Sequence, residues 1–409
     1  MAKEYKDLVV GLDIGTSKVM AVVAEVMPGG ELKLAGLGVA VSQGLKRGVV
    51  VNIDATVHSI QQALKEAELM ADCKIGRVFT GITGSHIRGL NSSGMVAVKD
   101  REVTQADVTR VIETAKAINI STDQRLLLVE PQEFVIDGQD VREPIGMSGL
   151  RLEAKVHIVT GAQSAAENII KCVRRCGIEV DQLMLNPLAS SLSVLTQDER
   201  ELGVAMVDIG AGTTDIAIFA GGSIRHTAVI PIAGDLITSD IAMALRTPTK
   251  DAEDIKVENG CAKQLLADPD TRIEVPGLGD RGPRMLSKQA LAGVIEPRVE
   301  EIFLLVQQVI RESGYEEVLS SGIVITGGSA LMPGMVELAE DIFLKPVRCG
   351  LPRYTSSLSD MVAQARAATV MGLLEEARLA RMRGYKVAQK AGSMHSAFGR
   401  VKDWFVGNF

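Results

Sequence analysis

Val10-Gly-Leu-Asp-Ile-Gly-Thr16 and Met206-Val-Asp-Ile-Gly-Ala-Gly-Thr213 carry the same theme: an apolar run, an aspartate and a glycine-rich turn. A second apolar run follows each, Lys18–Val26 in the first copy and Ile216–Ala220 in the second, so each reads as strand, turn and returning strand. A third strand is expected after both, over Leu32–Val41 and Ser223–Ile232. Duplicated halves facing each other across a cleft are the simplest geometry for this repeat. A further turn, Ile323-Val-Ile-Thr-Gly-Gly-Ser329, ends another buried strand (Gly322–Thr326) and precedes a helix from Pro333.

Around these turns strands and helices alternate, which argues for α/β domains. Asp54 is expected to cap a helix through Ala71, with Val57, Ile60, Ala63, Leu64 and Ala67 at helical spacing. Between Ser85 and Val159 the pattern changes to that of a small α+β insertion. Thr104-Gln-Ala-Asp107 is a capping box that opens a helix with Val108, Val111, Ile112, Ala115 and Ile118 on one face. Strands are expected there at Arg125–Glu130, Glu133–Ile136 and Leu152–Thr160. Helices and a Gly/Pro-rich loop (Val275–Pro283) fill Asp235–Ser313, and a last core helix covers Met361–Glu376.

The glycines of the paired turns have two readings. Gly15, Gly210 and Gly212 can serve tight hairpins alone, or they can let backbone N–H groups approach phosphate oxygens. In the second reading Thr16, Ser17, Thr213 and Thr214 add hydroxyl donors and Lys18 adds positive charge. Asp13 and Asp208 repel phosphate, so they make sense if Mg²⁺ lies between, held largely through waters. No Walker A pattern is present. Gly327, Gly328 and Ser329 leave a flat backbone that suits a purine and ribose, or form a plain strand-to-helix turn. Glu253 and Lys256 share a helix face and can reach ribose or base, or simply pair with each other.

Composition bounds the rest. The chain has 409 residues, 46% apolar and 23% charged, enough for several domains with a core. Net charge is −7, which argues against global nucleic-acid binding. Five cysteines without metal-ligand spacing fit a reducing cytoplasm. The N-terminus does not read as a signal peptide, and no apolar run reaches the ~18 residues of a spanning helix.

The paired Asp-Ile-Gly turns and the Gly-Gly turn resemble the phosphate and adenosine motifs of the actin, sugar-kinase and heat-shock-chaperone ATPase superfamily. Within it the chain is similar to the bacterial cell-division FtsA family over nearly its whole length. The segments that carry this are Ala67-Glu-Leu-Met-Ala-Asp-Cys73, Gly177-Ile-Glu-Val-Asp-Gln-Leu183, Ser191–Gly203 and Val294-Ile-Glu-Pro-Arg298. The resemblance implies a duplicated actin-like α/β fold: two lobes around a nucleotide cleft, an α+β insertion and a C-terminal amphipathic helix. It divides the chain into 1–84 and 161–195 (core of lobe I), 85–160 (insertion), 196–236 and 310–380 (core of lobe II), 237–309 (the second subdomain of lobe II), 381–395 (a flexible basic linker) and 396–409 (the amphipathic helix).

The resemblance also implies ATP and Mg²⁺ as cofactors, polymerisation, and tethering of the tubulin-like ring protein FtsZ to the membrane. Much of the FtsZ contact would lie in 237–309, with later division proteins recruited through the insertion. Hydrolysing relatives place a Gln or Glu where this chain has Leu185-Asn186-Pro187, so the shorter Asn186 implies slow turnover at most.

The end of the chain carries its own signal. From Ala377 to Lys402 there are seven basic residues and no acidic one. In Ser396–Phe409, Phe398, Val401, Trp404, Phe405 and Phe409 share a helical arc of about 140°, with Lys402 flanking it. A bulky apolar face beside basic residues marks an interfacial helix on anionic lipid; the other reading is a helix docked on the body or on a partner. No stacking aromatics interleave the basic run, which disfavours nucleic acid. Three further readings of the whole chain share its superfamily: a pilus-assembly protein, a small-molecule kinase, and a chaperone-type ATPase.

Overall fold

The computed structural model describes residues 7–279, 282–354 and 362–384. The interfacial helix expected over 396–409, with Phe398, Val401, Lys402, Trp404, Phe405 and Phe409, and most of the linker before it lie outside the described residues.

Lobe I is built on β1 (Leu8–Ile14), β2 (Lys18–Val26) and β3 (Leu32–Val41), followed by a short hairpin, β4 (Leu45–Lys46) and β5 (Val49–Val50), then α1 (Ile53–Ala71) and β6 (Arg77–Ile82). The chain enters the insertion with β7 (Arg88–Ala97), α2 (Gln105–Ala115), β8 (Gln124–Ile136), β9 (Gln139–Val141) and β10 (Arg151–Ala162). It returns as α3 (Gln163–Arg175), β11 (Glu179–Leu185), α4 (Asn186–Val194) and α5 (Gln197–Leu202).

Lobe II repeats the plan with β12 (Val204–Ile209), β13 (Thr214–Ala220), β14 (Ser223–Ile230), α6 (Gly234–Leu245), α7 (Thr249–Asn259), β15 (Arg272–Val275), β16 (Arg284–Ser287), α8 (Lys288–Ser313), β17 (Ile323–Thr326), α9 (Met335–Phe343) and β18 (Val347–Cys349). The last described helix is α10 (Ala368–Met382).

The duplication is visible in strand order. Lobe I reads β3-β2-β1-β6-β11 and lobe II reads β14-β13-β12-β17-β18, each with an antiparallel trio and a parallel trio that share the first strand. Both faces of each sheet are covered, which is why these strands are almost continuously apolar. In lobe I, Val10, Leu12, Val19 and Ala21 pack with Ile60, Ala63 and Ala67 of α1. The opposite face, with Val9, Met20 and Val22, packs with Val370, Leu373, Leu374 and Ala377 of α10. Burying such side chains contributes roughly 1.5–3 kcal/mol each.

In lobe II, Val207, Ile216 and Ile218 meet Ile237 and Ile241 of α6 and Ile302 and Phe303 of α8. Its other face, with Met206, Ala217 and Phe219, packs with Leu188 and Val194 of α4. Helices α4 and α10 cross at Gly372, where a Cβ would stand 1.6 Å from the Ala189 carbonyl oxygen.

Several local expectations are corrected. The cap of α1 is Asn52, whose Oδ1 accepts from the Ala55 N–H at 3.1 Å; Asp54 sits in the first turn and pairs with Arg175. The two strand pieces expected around Pro131 are one strand, β8, whose register shift opposite Lys155 and Val156 absorbs the proline. The Gly/Pro-rich loop joins an unexpected hairpin, β15–β16. Residues 368–380, assigned to lobe II with 310–380, lie as α10 on the sheet of lobe I, because the apolar surface available to them is Val9, Met20 and Val22.

The insertion is a four-stranded antiparallel sheet, β7-β10-β8-β9, with α2 closing its core through Val108, Val111 and Ile112. The expected capping box is present: Thr104 accepts from the Asp107 N–H while Asp107 accepts from the Thr104 N–H. A polar seam fastens this sheet to β14. His157, fully buried, sits 2.6 Å from Asn91 Oδ1 and 2.9 Å from Thr227 Oγ1, and Gln132 donates to the Ile224 carbonyl at 2.8 Å. A neutral ring satisfies both neighbours, with Nδ1–H donating to Asn91 and Nε2 accepting from the Thr227 hydroxyl.

Burial, with His226 nearby, pushes the His157 imidazole down to about 4. The unfolded chain takes up that proton below about pH 6.5, whereas the folded one holds it off until about 4. Stability therefore falls as pH drops through that window, by up to about 3 kcal/mol. Urea unfolding at pH 7 and pH 5 should show the loss in the wild type and a clearly smaller loss in His157→Gln.

Candidate functional site

The two halves meet at the ends of β1 and β12. Each strand closes its turn in the same way: the Gly15 N–H donates to the Lys18 carbonyl and the Gly210 N–H to the Thr213 carbonyl, both at 2.9 Å. Asp13 and Asp208 occupy equivalent positions just before these turns. The cleft between them is lined by Asp13, Gly15, Thr16, Ser17 and Lys18 from lobe I and by Asp208, Gly210, Ala211, Gly212 and Thr213 from lobe II. Gly327, Gly328, Asn186, Asp215, Thr83, Gly48, Thr369 and a second cation, Arg366, also line this cleft, whose water-accessible space is about 100 Å³. Gly212 is required by how closely the turns approach: a Cβ there would stand 2.5 Å from Thr16 Oγ1 and 2.9 Å from the Arg47 Cα.

Charge in the cleft is unbalanced. Asp13, Asp208 and Asp215 are all buried. Lys18 Nζ stands 3.6 Å from Asp13 Oδ2. Burial raises the Asp13 carboxyl, an effect that Lys18 offsets in part. Asp208 is also raised, by burial and then by Asp13, against hydrogen bonds from Ser190 at 2.5 Å and Thr369 at 3.3 Å. Asp215, opposite Asp208 in the β12–β13 register, is pushed up to about 7 by burial and the Asp208 charge. Its two oxygens accept from the hydroxyls of Thr83 in lobe I and Thr213 in lobe II.

The expected site residues divide by position. Asp13, Gly15, Thr16, Ser17, Lys18, Asp208, Gly210, Gly212, Thr213, Gly327 and Gly328 come together around one space, as does Asn186. Thr214 does not join them; it is buried and its hydroxyl donates to the Ile232 carbonyl at 2.7 Å. Thr214 opens β13 and takes the face opposite to that of Asp215, which lines the cleft. Ser329 donates to the Gly210 carbonyl at 2.9 Å, seating the third turn on the second. Glu253 and Lys256 stand apart on α7, where Lys256 Nζ meets Glu253 at 2.6 Å, Thr238 Oγ1 at 2.8 Å and the Gly234 carbonyl at 3.2 Å. Through Gly234, whose N–H donates to the Gly210 carbonyl, this buried lysine is one step from the second turn.

Sequence reasoning missed Asp215, Thr83, Ser190 and Thr369. Asp215 had a signal, an acid inside an otherwise apolar strand (Asp-Ile-Ala-Ile-Phe); the three hydroxyls had none.

The donor set is all oxygen, which suits a hard cation. Among the described residues no three His, Cys, Asp or Glu side chains are grouped to ligate an ion directly. The Asn186 Oδ1, buried at the first turn of α4 and without a hydrogen-bond partner among the described residues, lies against Gly81 of β6, where a Cβ would stand 2.1 Å from it.

Comparison with known proteins places this architecture. The family described as "Cell division protein FtsA" matches residues 205–372, and "SHS2 domain inserted in FTSA" matches residues 84–160. The chain is 55% identical over 409 residues to the cell division protein FtsA of Pseudomonas aeruginosa, covering 98% of each chain. It is 44% identical over 414 residues to that of Escherichia coli K12, covering 99% of each. Among solved structures it resembles the PilM-PilN type IV pilus biogenesis complex, with a TM-score of 0.63 at 16% identity over 90% of this chain and 98% of that one. It also resembles MreB5 of Spiroplasma citri bound to ADP, with a TM-score of 0.55 at 16% identity over 92% and 99%. These likenesses show the actin-like ATPase fold, and the full-length identities go further: the chain belongs to the FtsA family of bacterial cell-division proteins.

Proposed function

We propose that this chain clamps Mg²⁺-ATP between its lobes and, as a filament on the cytoplasmic face of the inner membrane at the division septum, anchors the FtsZ ring and helps to recruit later division proteins. The observation that carries the nucleotide part is the cluster of three buried carboxylates, Asp13, Asp208 and Asp215, at the facing ends of two glycine turns. Buried anions of one sign call for a cation. Mg²⁺, when bound, supplies that charge and screens the carboxylates from the phosphates.

In this reading Asp13 and Asp208 hold the ion through water. Gly15, Thr16, Ser17, Lys18, Gly210, Gly212 and Thr213 cradle the phosphates. Gly327, Gly328 and Ser329, with Glu253 and Lys256 behind them, form the nucleoside side. Thr214 keeps a structural part in the sheet. The cleft takes its walls from both lobes, so a nucleotide bound there would touch both. That supports a clamp whose closure depends on the ligand. Asn186 can orient a water but supplies no base, which favours slow turnover.

The membrane part rests on the sequence of 396–409, with lipid contact through Phe398, Val401, Lys402, Trp404, Phe405 and Phe409. No helix among the described residues is long and apolar enough to cross a membrane. Burial of one such tail at an interface is partial and opposed by the entropy of ordering it, so a single anchor is reversible. A filament presents many tails at once and gains avidity without any new contact. FtsZ contact through 237–309 and recruitment through 85–160 are part of the same proposal, and membership of the family supports them.

Three outcomes test this. Asp208→Ala should weaken Mg²⁺-ATP binding at least about tenfold by calorimetry, the loss expected when an ion loses one of its anchors; unchanged affinity removes the metal role. Asp215→Asn should raise the thermal stability of the ligand-free protein at pH 8 by roughly 1–3 kcal/mol. Its folded carboxyl titrates above the unfolded value, so the stability it contributes below pH 4 is lost as pH rises through about 7. The double variant Trp404→Glu with Phe405→Glu should no longer sediment with anionic vesicles while binding ATP as before, and undiminished vesicle binding would refute the tail assignment.

A further inference from the structure

The hairpin β4–β5 turns on Arg47-Gly48, both at positive φ, 49° and 77°. This is the mirror-image two-residue turn, whose first position favours Asn, Asp or Gly; an arginine there strains the backbone. Nothing in the hairpin's own packing rewards the arginine. Its side chain and that of Lys46 are exposed, and neither forms a hydrogen bond or ion pair with another described residue. A strained residue that persists without a local partner is a reason to look for an absent one.

The position of the turn says what that partner would be. The Gly48 N–H donates to Thr16 Oγ1 at 3.1 Å, which fixes the tip to the first phosphate turn. The Arg47 Cα stands against Gly212, in the second turn, and the Gly48 Cα carries no side chain where Thr83 and Thr213 crowd in. The tip therefore touches both lobes where their turns converge. The third turn also abuts Asp208: a Cβ on Gly327 would stand 2.4 Å from Asp208 Oδ1. Gly48 of the tip lines the same cleft as the paired turns and Gly327-Gly328, and the exposed Arg47 adjoins it in the chain, within reach of phosphates held between the paired turns.

The geometry points to Arg47, with Lys46 beside it, as the determinant by which this cleft distinguishes a nucleoside triphosphate from a diphosphate. The inference rests on the nucleotide reading proposed above and adds the residue that reads the terminal phosphate. A guanidinium at the end of the phosphate chain makes charge-assisted hydrogen bonds to a terminal phosphate that a diphosphate lacks. Because the hairpin belongs to lobe I and leans on lobe II, that contact would also favour the closed arrangement only in the triphosphate state.

The test is calorimetric titration of the full chain, with Mg²⁺, against a non-hydrolysable ATP analogue and against ADP. Arg47→Gly suits the positive φ, so its ligand-free thermal midpoint should equal or exceed that of the wild type. Its preference for the triphosphate analogue over ADP should fall about tenfold, with ADP affinity nearly unchanged, and Arg47→Lys should recover part of the preference. A wild-type preference that survives in Arg47→Gly, an equal loss for both nucleotides, or a wild type with no preference would each overturn the assignment. A wild type that binds neither nucleotide is a different result and removes the nucleotide reading itself.

Discussion

Asp13, Asp208 and Asp215 lie within one water-poor junction between the lobes, with Lys18 near the first of them. Removing carboxylates from water costs several kcal/mol each unless something compensates. Here the compensation is divided among hydroxyls: Ser190 and Thr369 donate to Asp208, and Thr83 and Thr213 donate to Asp215. Those donors come from α4, α10, the end of β6 and the second turn, so the elements that frame the cleft are held by the charges inside it. The junction is also poised, because an added cation relieves the same repulsion that the hydroxyls only temper.

The insertion is joined by different means. Its own core is apolar, but its contact with β14 is a line of polar side chains, His157, Asn91, Gln132 and the Arg225–Glu133 pair. An apolar seam would tolerate sliding, whereas hydrogen bonds with fixed partners specify a single register. The insertion thus rides on the third strand of lobe II while its chain connections run into lobe I. Any relative motion of the lobes must be accommodated there.

What could be read from the sequence followed from burial. β1, β2, β12 and β13 are covered on both faces, so their apolar runs were unambiguous, and the glycine turns after β1 and β12 marked the cleft directly. β15–β16 escaped because its strands are four residues each and the second has no fully buried residue, which leaves little periodicity to detect. α10 was placed with the wrong lobe because an apolar helix face does not say which sheet it will meet. Thr214 was assigned to the phosphate side because spacing along the chain does not record which side of a strand a hydroxyl takes. Asp215 was visible but unexplained until the β12–β13 register set it opposite Asp208.

The crossing of α4 and α10 at Gly372 carries a historical meaning. α4 follows the last strand of lobe I and covers the sheet of lobe II; α10 follows the last strand of lobe II and covers the sheet of lobe I. Each half therefore lends its final helix to the other about a pseudo-two-fold axis. This is the arrangement of an isologous dimer that has exchanged identical elements. A fused, swapped homodimer is the simplest ancestor for it, and it explains why neither half of the present chain contains all of its own hydrophobic core.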